Sequence, residues 1–233
     1  MFFPEFDLKN SRYERKYLIS DMQRAAVQQQ IRLHPASFSP IFYPRYINNI
    51  YLDTAGLDAF YENLAGHGKR KKARIRWYGD MMGKVSKPVL EFKIKEGMLG
   101  NKLLFPLQPF EMDENFNAEM LRDVFLHSSL PDWALESVLK QKPSLVNRYK
   151  RTYYATFDGK FRLTLDEELS YFAVGPAPNY FLEKYVSRDL VVELKYAYAD
   201  YREAVSIADF LPFRLTKSSK YVTGIGMIFS IPV

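Results

Sequence analysis

The sequence predicts an α+β fold in which most strands pair in an antiparallel arrangement. Apolar and polar residues alternate with a period of two in far more segments than show the period of a helix. These alternating segments follow one another mostly as hairpins rather than as strand–helix–strand units, which favours antiparallel pairing. In several of them one face is apolar and the other is charged, and the apolar faces suit helices packed against a sheet.

In the first half of the chain, alternation predicts five strands, over 12–19, 45–54, 69–78, 88–96 and 101–107. Two helices are expected between them, over 21–33 and 55–64. Ser20 precedes the first helix as its N-cap, and Gln23 follows at the spacing of a capping box.

In the second half we expect helices over 115–127 and 131–140, a hairpin over 144–169 and a loop over 175–179. A strand over 188–198 and a helix over 200–210 follow. Asp158 and Gly159 join the two runs of the hairpin, which is a strong turn signal. The segment FRLTKSSKYVTGIG finishes the organised chain. The sequence has no fixed repeat and no linker, so we expect residues 1–233 to form one domain of about eight strands and four or five helices.

The composition excludes several classes of protein. With 47% hydrophobic residues the chain can bury a core, and without cysteine it has no disulfide framework, thiolate metal site or cysteine nucleophile. It has no apolar leader and no apolar run long enough to span a membrane, so we expect a cytoplasmic protein. The net charge of +6 indicates an anionic partner. His34, His67 and His127 lack ligand spacing and are expected at the surface.

Charged residues share strand faces at a spacing of two. The faces are Arg12, Glu14 and Lys16; Arg74, Arg76 and Tyr78; Glu91, Lys93 and Lys95; Tyr149, Arg151 and Tyr153; Arg162, Thr164 and Asp166; and Glu193 with Lys195. Each face alone is explained by an open sheet with one solvated side. If the sheet instead closes into a barrel, the cations point inward and must hold a polyanion. Periodicity leaves both arrangements open.

Some residues near these faces are interpreted as structural. Asp166 is left out of the predicted site. The basic run over 66–72 is expected to be solvated, with guidance of an anion to the mouth of a closed barrel as the alternative. Four tyrosines are expected to pack rather than to stack on bases, namely Tyr46, Tyr51, Tyr78 and Tyr153.

The order and spacing of RYERKY, RIRWYG, LEFK, ELK and SSKYVTG, from Arg12 to Gly224, resemble a known family. It is the catalytic domain of the vacuolar transporter chaperone (VTC) polyphosphate polymerases and their bacterial relatives. This family belongs to the triphosphate tunnel metalloenzymes, or CYTH superfamily. The resemblance implies a closed, antiparallel, eight-stranded β-barrel with surrounding helices and a tunnel lined by Lys and Arg.

The resemblance also implies roles for individual residues. The expected catalytic, phosphate-holding set is Lys16, Arg74, Arg76, Lys93, Tyr149, Arg151, Arg162 and Lys220. Further phosphate ligands are Lys102, Lys195, Lys217 and Ser219. Glu193 is expected to hold Mn²⁺ or Mg²⁺, with Glu14 and Glu91 as further candidate ligands. The implied partners are ATP or another triphosphate, inorganic polyphosphate, and a membrane protein that accepts the product at the inner membrane; sequence-specific nucleic acid is not expected.

One departure from the superfamily pattern favours a polymerase. Tunnel hydrolases carry Glu-x-Glu-x-Lys on the first strand, whereas this chain has Arg12, Glu14 and Lys16 at those positions. Fewer acids and more bases favour transfer of the γ-phosphate of ATP to polyphosphate. The alternatives are a triphosphatase acting on inorganic triphosphate or on a nucleoside or RNA 5′-triphosphate, and a non-catalytic polyphosphate-binding module. Nucleic-acid binding on an open basic sheet is a further alternative.

Overall fold

The computed structural model describes residues 7, 11–175, 178–179, 181 and 184–233. Its strands are β1 (Arg12–Ile19), β2 (Ser39–Asp53), β3 (Lys69–Tyr78), β4 (Gly83–Val85), β5 (Val89–Glu96), β6 (Leu99–Pro106), β7 (Phe110–Met112), β8 (Lys142–Ala155), β9 (Arg162–Phe172), β10 (Lys184–Ser187) and β11 (Leu190–Ala197). Its helices are α1 (Arg24–Arg32), α2 (Asp58–Leu64), α3 (Ala118–Leu126), α4 (Asp132–Leu139), α5 (Tyr201–Asp209) and α6 (Lys220–Phe229). No helix in these ranges is long and apolar enough to cross a membrane.

Eight of the strands form a closed, antiparallel barrel. The ring runs β1, β6, β5, β3, β2, β8, β9 and β11, and β11 pairs again with β1. Strand β9 closes it, because it pairs with β8 on one side and with β11 on the other. The predicted eight-stranded barrel is therefore confirmed, and the open sheet is wrong.

Helices cover the outer, apolar faces of the strands. Ile75 of β3 and Phe92 of β5 are buried in one cluster with Phe125 of α3 and Val138 of α4. On the other side, residues of β1, β9 and β11 pack against α1 and α5 in a second cluster. Because side chains alternate along a strand, packing the apolar face outward turns the charged face into the barrel.

The structure differs from the sequence prediction in several elements. The short strands β4, β7 and β10 and the helix α6 were not predicted. The helix expected over 21–33 starts as a 3₁₀ turn before α1, and the side chain of Ser20 makes no capping hydrogen bond, so the predicted capping box is wrong. Of the loop expected over 175–179, residues 176 and 177 lie outside the described residues.

His34 is buried, which corrects the prediction that all three histidines lie at the surface. Its side chain is 4% exposed, whereas His67 and His127 are exposed. The Ala36 N–H donates to Nδ1, and Nε2 lies 2.9 Å from the Ile207 carbonyl oxygen. The carbonyl can only accept, so Nε2 donates to it, and His34 joins the end of α1 to α5.

A β-bulge in β9 changes which residues face the interior. Arg148 is paired with Ser170 and Lys150 with Glu167, so β9 has one residue more than β8 between these pairs. Glu168 has a φ of 55°, and its carboxylate accepts a hydrogen bond from the Tyr46 hydroxyl. Before the bulge Thr164 and Asp166 point inward; beyond it, Leu169 and Tyr171 join an apolar cluster.

Helix α6 packs at one end of the barrel. Tyr221 and Ile225 of α6 are buried with Leu145 and Tyr171 of the barrel wall. The carboxylate of Asp53 accepts hydrogen bonds from the Tyr221 hydroxyl and from two backbone N–H groups of α2, so it joins both helices to the end of β2. The end of the lumen next to α6 is thus apolar and closely packed.

Gly224 allows α6 to approach the barrel. A Cβ atom at this position would lie 2.6 Å from Leu145 Cδ2 and from Tyr171 Cδ1. We expect Gly224→Ala to destabilise the protein, because overpacking costs about 1–3 kcal/mol whereas alanine gains only about 1 kcal/mol of helix propensity. Urea unfolding measures the difference. Gly68→Ala is the control, since nothing lies within 4 Å of its Cβ position; equal stability of both variants would contradict the close approach.

Candidate active site

The barrel interior carries an excess of cations, which we call the lumen cluster. In the described part of the chain its ten cations are Lys16, Lys72, Arg74, Arg76, Lys93, Lys95, Lys102, Arg151, Lys195 and Lys220. Its four carboxylates are Glu14, Glu91, Asp166 and Glu193. The lumen cluster therefore carries an excess of six positive charges.

A first group joins the paired arginines of β3 to Glu91 of β5. Arg74 Nε donates to Glu91 at 2.6 Å, and Arg76 Nη1 lies 3.2 Å from the other oxygen of the same carboxylate. Arg76 also donates to Asn49 at 3.0 Å and to the Tyr149 hydroxyl at 3.3 Å. Burial alone would raise the pKa of Glu91, but the two arginines hold it well below its usual value. The guanidinium groups are thereby fixed in orientation.

A second group surrounds Asp166, which the sequence did not predict as a site residue. Asp166 is fully buried, and its Oδ2 lies 2.6 Å from Arg151 Nη2 and 2.5 Å from Lys220 Nζ. Burial would raise the pKa of Asp166, but Arg151 and Lys220 hold it below its usual value. Its position two residues after Thr164 on an inward face was the available signal. Asp166 therefore belongs to the site as the residue that positions Arg151 and Lys220.

A third group contains Glu193 and Glu14 on the neighbouring strands β11 and β1. Glu193 lies 2.7 Å from Lys195 Nζ and 3.2 Å from Lys16 Nζ, while Glu14 lies 2.7 Å from Lys93 Nζ. Burial would raise the pKa values of both carboxyl groups, but the surrounding lysines hold them well below normal. Both are therefore ionised at neutral pH, as metal ligands must be.

Lys72 is a member of the lumen cluster that the sequence analysis missed. Its ammonium group donates to Ser219 Oγ at 2.9 Å, and Ser219 also caps α6 by accepting from the Val222 N–H. Burial lowers the pKa of Lys72 well below its usual value, and the nearby Lys16 adds to this effect. Lys72 shares its strand face with Arg74, so alternation could have found it. The prediction of a solvated basic run is wrong for Lys72.

Three of the predicted phosphate ligands are exposed to solvent, unlike the buried groups described above. Arg162 is exposed and, with Arg12 and Lys195, lines a cavity of about 170 Å³ at the mouth of the lumen. Lys102 reaches solvent inside the lumen, although its environment lowers its pKa well below normal, first by burial. Lys217 is exposed, and within the described residues it forms no ion pair. Apart from Arg162 and Lys217, the predicted cations and carboxylates all belong to the lumen cluster, and Tyr149 and Ser219 contact it through Arg76 and Lys72.

The predicted metal ligands do not form a single site. No group of three acidic or histidine side chains in the described part of the chain converges on one point. All three predicted carboxylates are paired with cations, but Glu91 lies between two arginines, whereas the nearest cations of Glu193 and Glu14 are lysines. We therefore take Glu193 and Glu14 as the candidate ligands. Two ionised carboxylates suit Mg²⁺ or Mn²⁺, because such ions commonly take one or two carboxylates and complete their shell with water and substrate phosphates. The residues therefore fit a two-carboxylate site.

The lumen lysines predict opposite pH dependence of stability and of anion binding. The pKa of Lys93 is lowered to about 8 by burial, and those of Lys72 and Lys102 are also lowered. A lysine whose folded-state pKa is depressed opposes folding while it is protonated, so stability should rise as pH increases from 7 towards the usual value of 10.5. The thermal stabilisation by added inorganic triphosphate should fall over the same range, because the lumen loses charge.

The control for this prediction removes one titrating group. We expect Lys72→Met to show a shallower rise of unfolding free energy with pH than the unsubstituted protein. Lys69→Met, at an exposed position on the same strand, should leave the pH dependence unchanged. An identical pH dependence in all three proteins would contradict a role for Lys72 in this effect.

A closed eight-stranded barrel with a basic lumen and surrounding helices is the architecture of the triphosphate-tunnel fold. Its fold is similar to that of the putative adenylyl cyclase HpAC1 from Hippeastrum, with a TM-score of 0.51 at 14% identity over 91% of this chain and 93% of that one. A putative adenylate cyclase from Vibrio parahaemolyticus gives a TM-score of 0.50 at 14% identity over 91% and 97%. At this identity the likeness is one of fold.

The sequence itself matches the VTC domain over residues 11–229, so the chain belongs to the VTC domain family. The family that the sequence motifs predicted is thereby confirmed. A comparison with curated proteins finds no match.

Proposed function

We propose that the protein is a metal-dependent polyphosphate polymerase, which transfers the γ-phosphate of ATP to the end of a polyphosphate chain. The observation that carries this proposal is the excess of ten cations over four carboxylates in the lumen cluster, with all four carboxylates already paired to cations. Such a lumen is suited to hold two polyanions at once, the donor triphosphate and the acceptor chain.

Phosphoryl transfer requires in-line positioning and neutralisation of charge on the phosphate oxygens rather than covalent chemistry by the protein. Arg74, Arg76 and Arg151 carry planar guanidinium groups, the side-chain type best suited to recognise phosphate oxygens. Lys16, Lys93 and the other lumen lysines act as point charges along the chain. The protein therefore supplies positioning and charge.

In the proposed reaction, a terminal phosphate oxygen of the acceptor chain forms a bond to the γ-phosphorus of ATP. The bond from that phosphorus to the bridging oxygen breaks, and ADP leaves with the electron pair. Glu193 and Glu14 would hold a divalent cation, whose charge would help to neutralise the negative charge that develops on the phosphate groups. Arg151, held by Asp166 at 2.6 Å, is already oriented before substrate binds.

The second candidate is a tunnel triphosphatase, in which water replaces the acceptor chain. It is favoured by the fold likeness to HpAC1, for which a dominant triphosphatase activity is described. Against it stands Arg12, which occupies the place of a first-strand carboxylate in tunnel hydrolases. A binding module without activity is the remaining alternative, and the ionised Glu193 and Glu14 count against it.

A gel assay tests the proposal. Purified protein is incubated with ATP and Mn²⁺ or Mg²⁺, products are resolved on a polyacrylamide gel stained for polyphosphate, and ADP and free phosphate are measured in parallel. A ladder with ADP and little free phosphate is the expected result. Free phosphate without a ladder would establish the triphosphatase instead. If neither product forms, a binding module is the remaining function. Omission of the metal is the control and should abolish both products.

We further propose that residues 1–233 act as one cytoplasmic catalytic domain and that an inner-membrane protein accepts the product. Cell fractionation tests the second point. Part of the protein should sediment with membranes at low salt and be released at high salt, since the contact would be made by a charged surface. Recovery in the soluble fraction alone, at every salt concentration, would contradict a membrane partner.

A further inference from the structure

Aromatic side chains line the mouth of the lumen that lies away from α6. We call Phe42, Arg45, Tyr78 and Tyr153 the aromatic rim. Tyr153 lies eight residues further along β8 than Leu145, which packs against α6, and this spacing corresponds to about 26 Å of extended strand. The rim and the packed end are therefore at opposite ends of the barrel.

The aromatic rim extends the row of cations in the lumen towards the surface of the protein. Arg151 lies over the ring of Tyr149 at 5.2 Å and over the ring of Tyr153 at 5.7 Å. The next cation, Arg45, lies 5.0 Å from the ring centre of the same Tyr153 and 4.4 Å from that of Tyr78. Cations and aromatic rings thus alternate from the buried Arg151 to the surface.

The rim exposes ring surface that packing alone does not explain. Phe42 is 54% exposed and Tyr78 is 49% exposed, although both contact Arg45. Arg45 forms no ion pair within the described residues, and its Nε is buried without a hydrogen-bond partner there. The expectation that Tyr78 only packs is therefore incomplete, because half of its surface faces solvent beside a cation. The rim is a flat, partly charged surface next to a phosphate-binding lumen.

We propose that the aromatic rim binds the base of a nucleoside triphosphate whose phosphates extend into the lumen. The proposal rests on the proposed function, since it concerns the donor of the same site. Bases stack on aromatic rings and on guanidinium planes with little preference among themselves, because every base has a π-face. The rim therefore selects nucleoside triphosphates over inorganic triphosphate without selecting strongly among the bases. An inorganic polyphosphate chain, which has no base, gains nothing from it.

Calorimetric titration without divalent metal tests the rim, because binding is then measured without turnover. ATP, GTP and inorganic triphosphate are titrated into the unsubstituted protein and into Tyr78→Ala and Phe42→Ala. We expect each substitution to lower the affinity for ATP and GTP about five- to tenfold. The affinity for inorganic triphosphate should change by no more than about twofold. Tyr78→Phe, which keeps the ring, should bind ATP normally. Tyr43→Ala is the matched control, since Tyr43 lies on the same strand and is 94% exposed.

The outcomes separate the rim from the proposed function. Equal weakening of ATP and inorganic triphosphate in Tyr78→Ala, or no weakening of either, would overturn the rim while the triphosphate-binding lumen remains. A selective loss of ATP affinity in a protein that forms no polyphosphate ladder would support the rim and reject the polymerase. If the unsubstituted protein binds none of the three ligands, the proposed function and the rim are both rejected.

Discussion

Replacement of Glu193 by glutamine is expected to abolish metal-dependent turnover while triphosphate binding persists. Glutamine keeps the size of the side chain and can still accept hydrogen bonds from Lys16 and Lys195, but it loses the charge that would hold the metal. Metal ions stabilise phosphoryl-transfer transition states by several kcal/mol, so turnover should fall about a thousandfold or more. Steady-state assay of ADP release from ATP measures the loss.

Two further measurements identify the cause of that loss. Mn²⁺ affinity, followed by electron paramagnetic resonance, should fall in Glu193→Gln and to a smaller extent in Glu14→Gln. Affinity for inorganic triphosphate without metal should be retained or improved, because the lumen loses one negative charge. Glu96→Gln is the control, since Glu96 forms an exposed ion pair with Lys69 at the end of β5. Normal turnover in Glu193→Gln would reject Glu193 as a metal ligand.

The inward faces of the barrel could be predicted because strand periodicity is a local property. Glu14 and Lys16, or Lys93 and Lys95, share a face whatever the strand pairs with. The resemblance to the VTC family then predicted that the sheet closes into a barrel, which alternation alone could not decide. Periodicity predicts on which face of the sheet a side chain lies, but it does not predict which residues that side chain contacts. Arg162 was correctly placed on an inward face, yet at the exposed end of β9 it lies at the mouth rather than in the buried cluster.

What could not be predicted depends on contacts between distant segments. Helix α6 was missed because two glycines lower its helix propensity, and Gly224 is explained only once the helix packs against Leu145 and Tyr171. The bulge at Glu168 changes which residues of β9 face the barrel interior, and no residue near it indicates that change in the sequence. Asp166 looked like a carboxylate at the end of a hairpin strand. Its role appears only when Lys220, 54 residues later in the chain, reaches it.

Asp166→Asn is expected to have the largest effect on stability of any single substitution in the lumen. Asp166 is fully buried and paired with Arg151 and Lys220, so its loss leaves Lys220 without an ion-pair partner among the described residues and Arg151 with only Glu193, at 3.6 Å. Breaking a buried pair by removing one partner typically costs about 3–5 kcal/mol. Urea unfolding should show a loss of this size. Glu203→Gln, which breaks an exposed pair with Lys160, should leave the unfolding free energy within experimental error.

A double-mutant cycle distinguishes a charge effect from a packing effect at this site. If the cost of Asp166→Asn comes from the uncompensated Lys220, then Asp166→Asn combined with Lys220→Met should be more stable than the sum of the single changes. Added inorganic triphosphate should also restore more stability to Asp166→Asn than to the unsubstituted protein, because a polyanion supplies the missing charge. Strict additivity, with no extra gain from triphosphate, would show that Asp166 acts through packing. The buried carboxylate would then have no part in holding the lumen cations for their substrate.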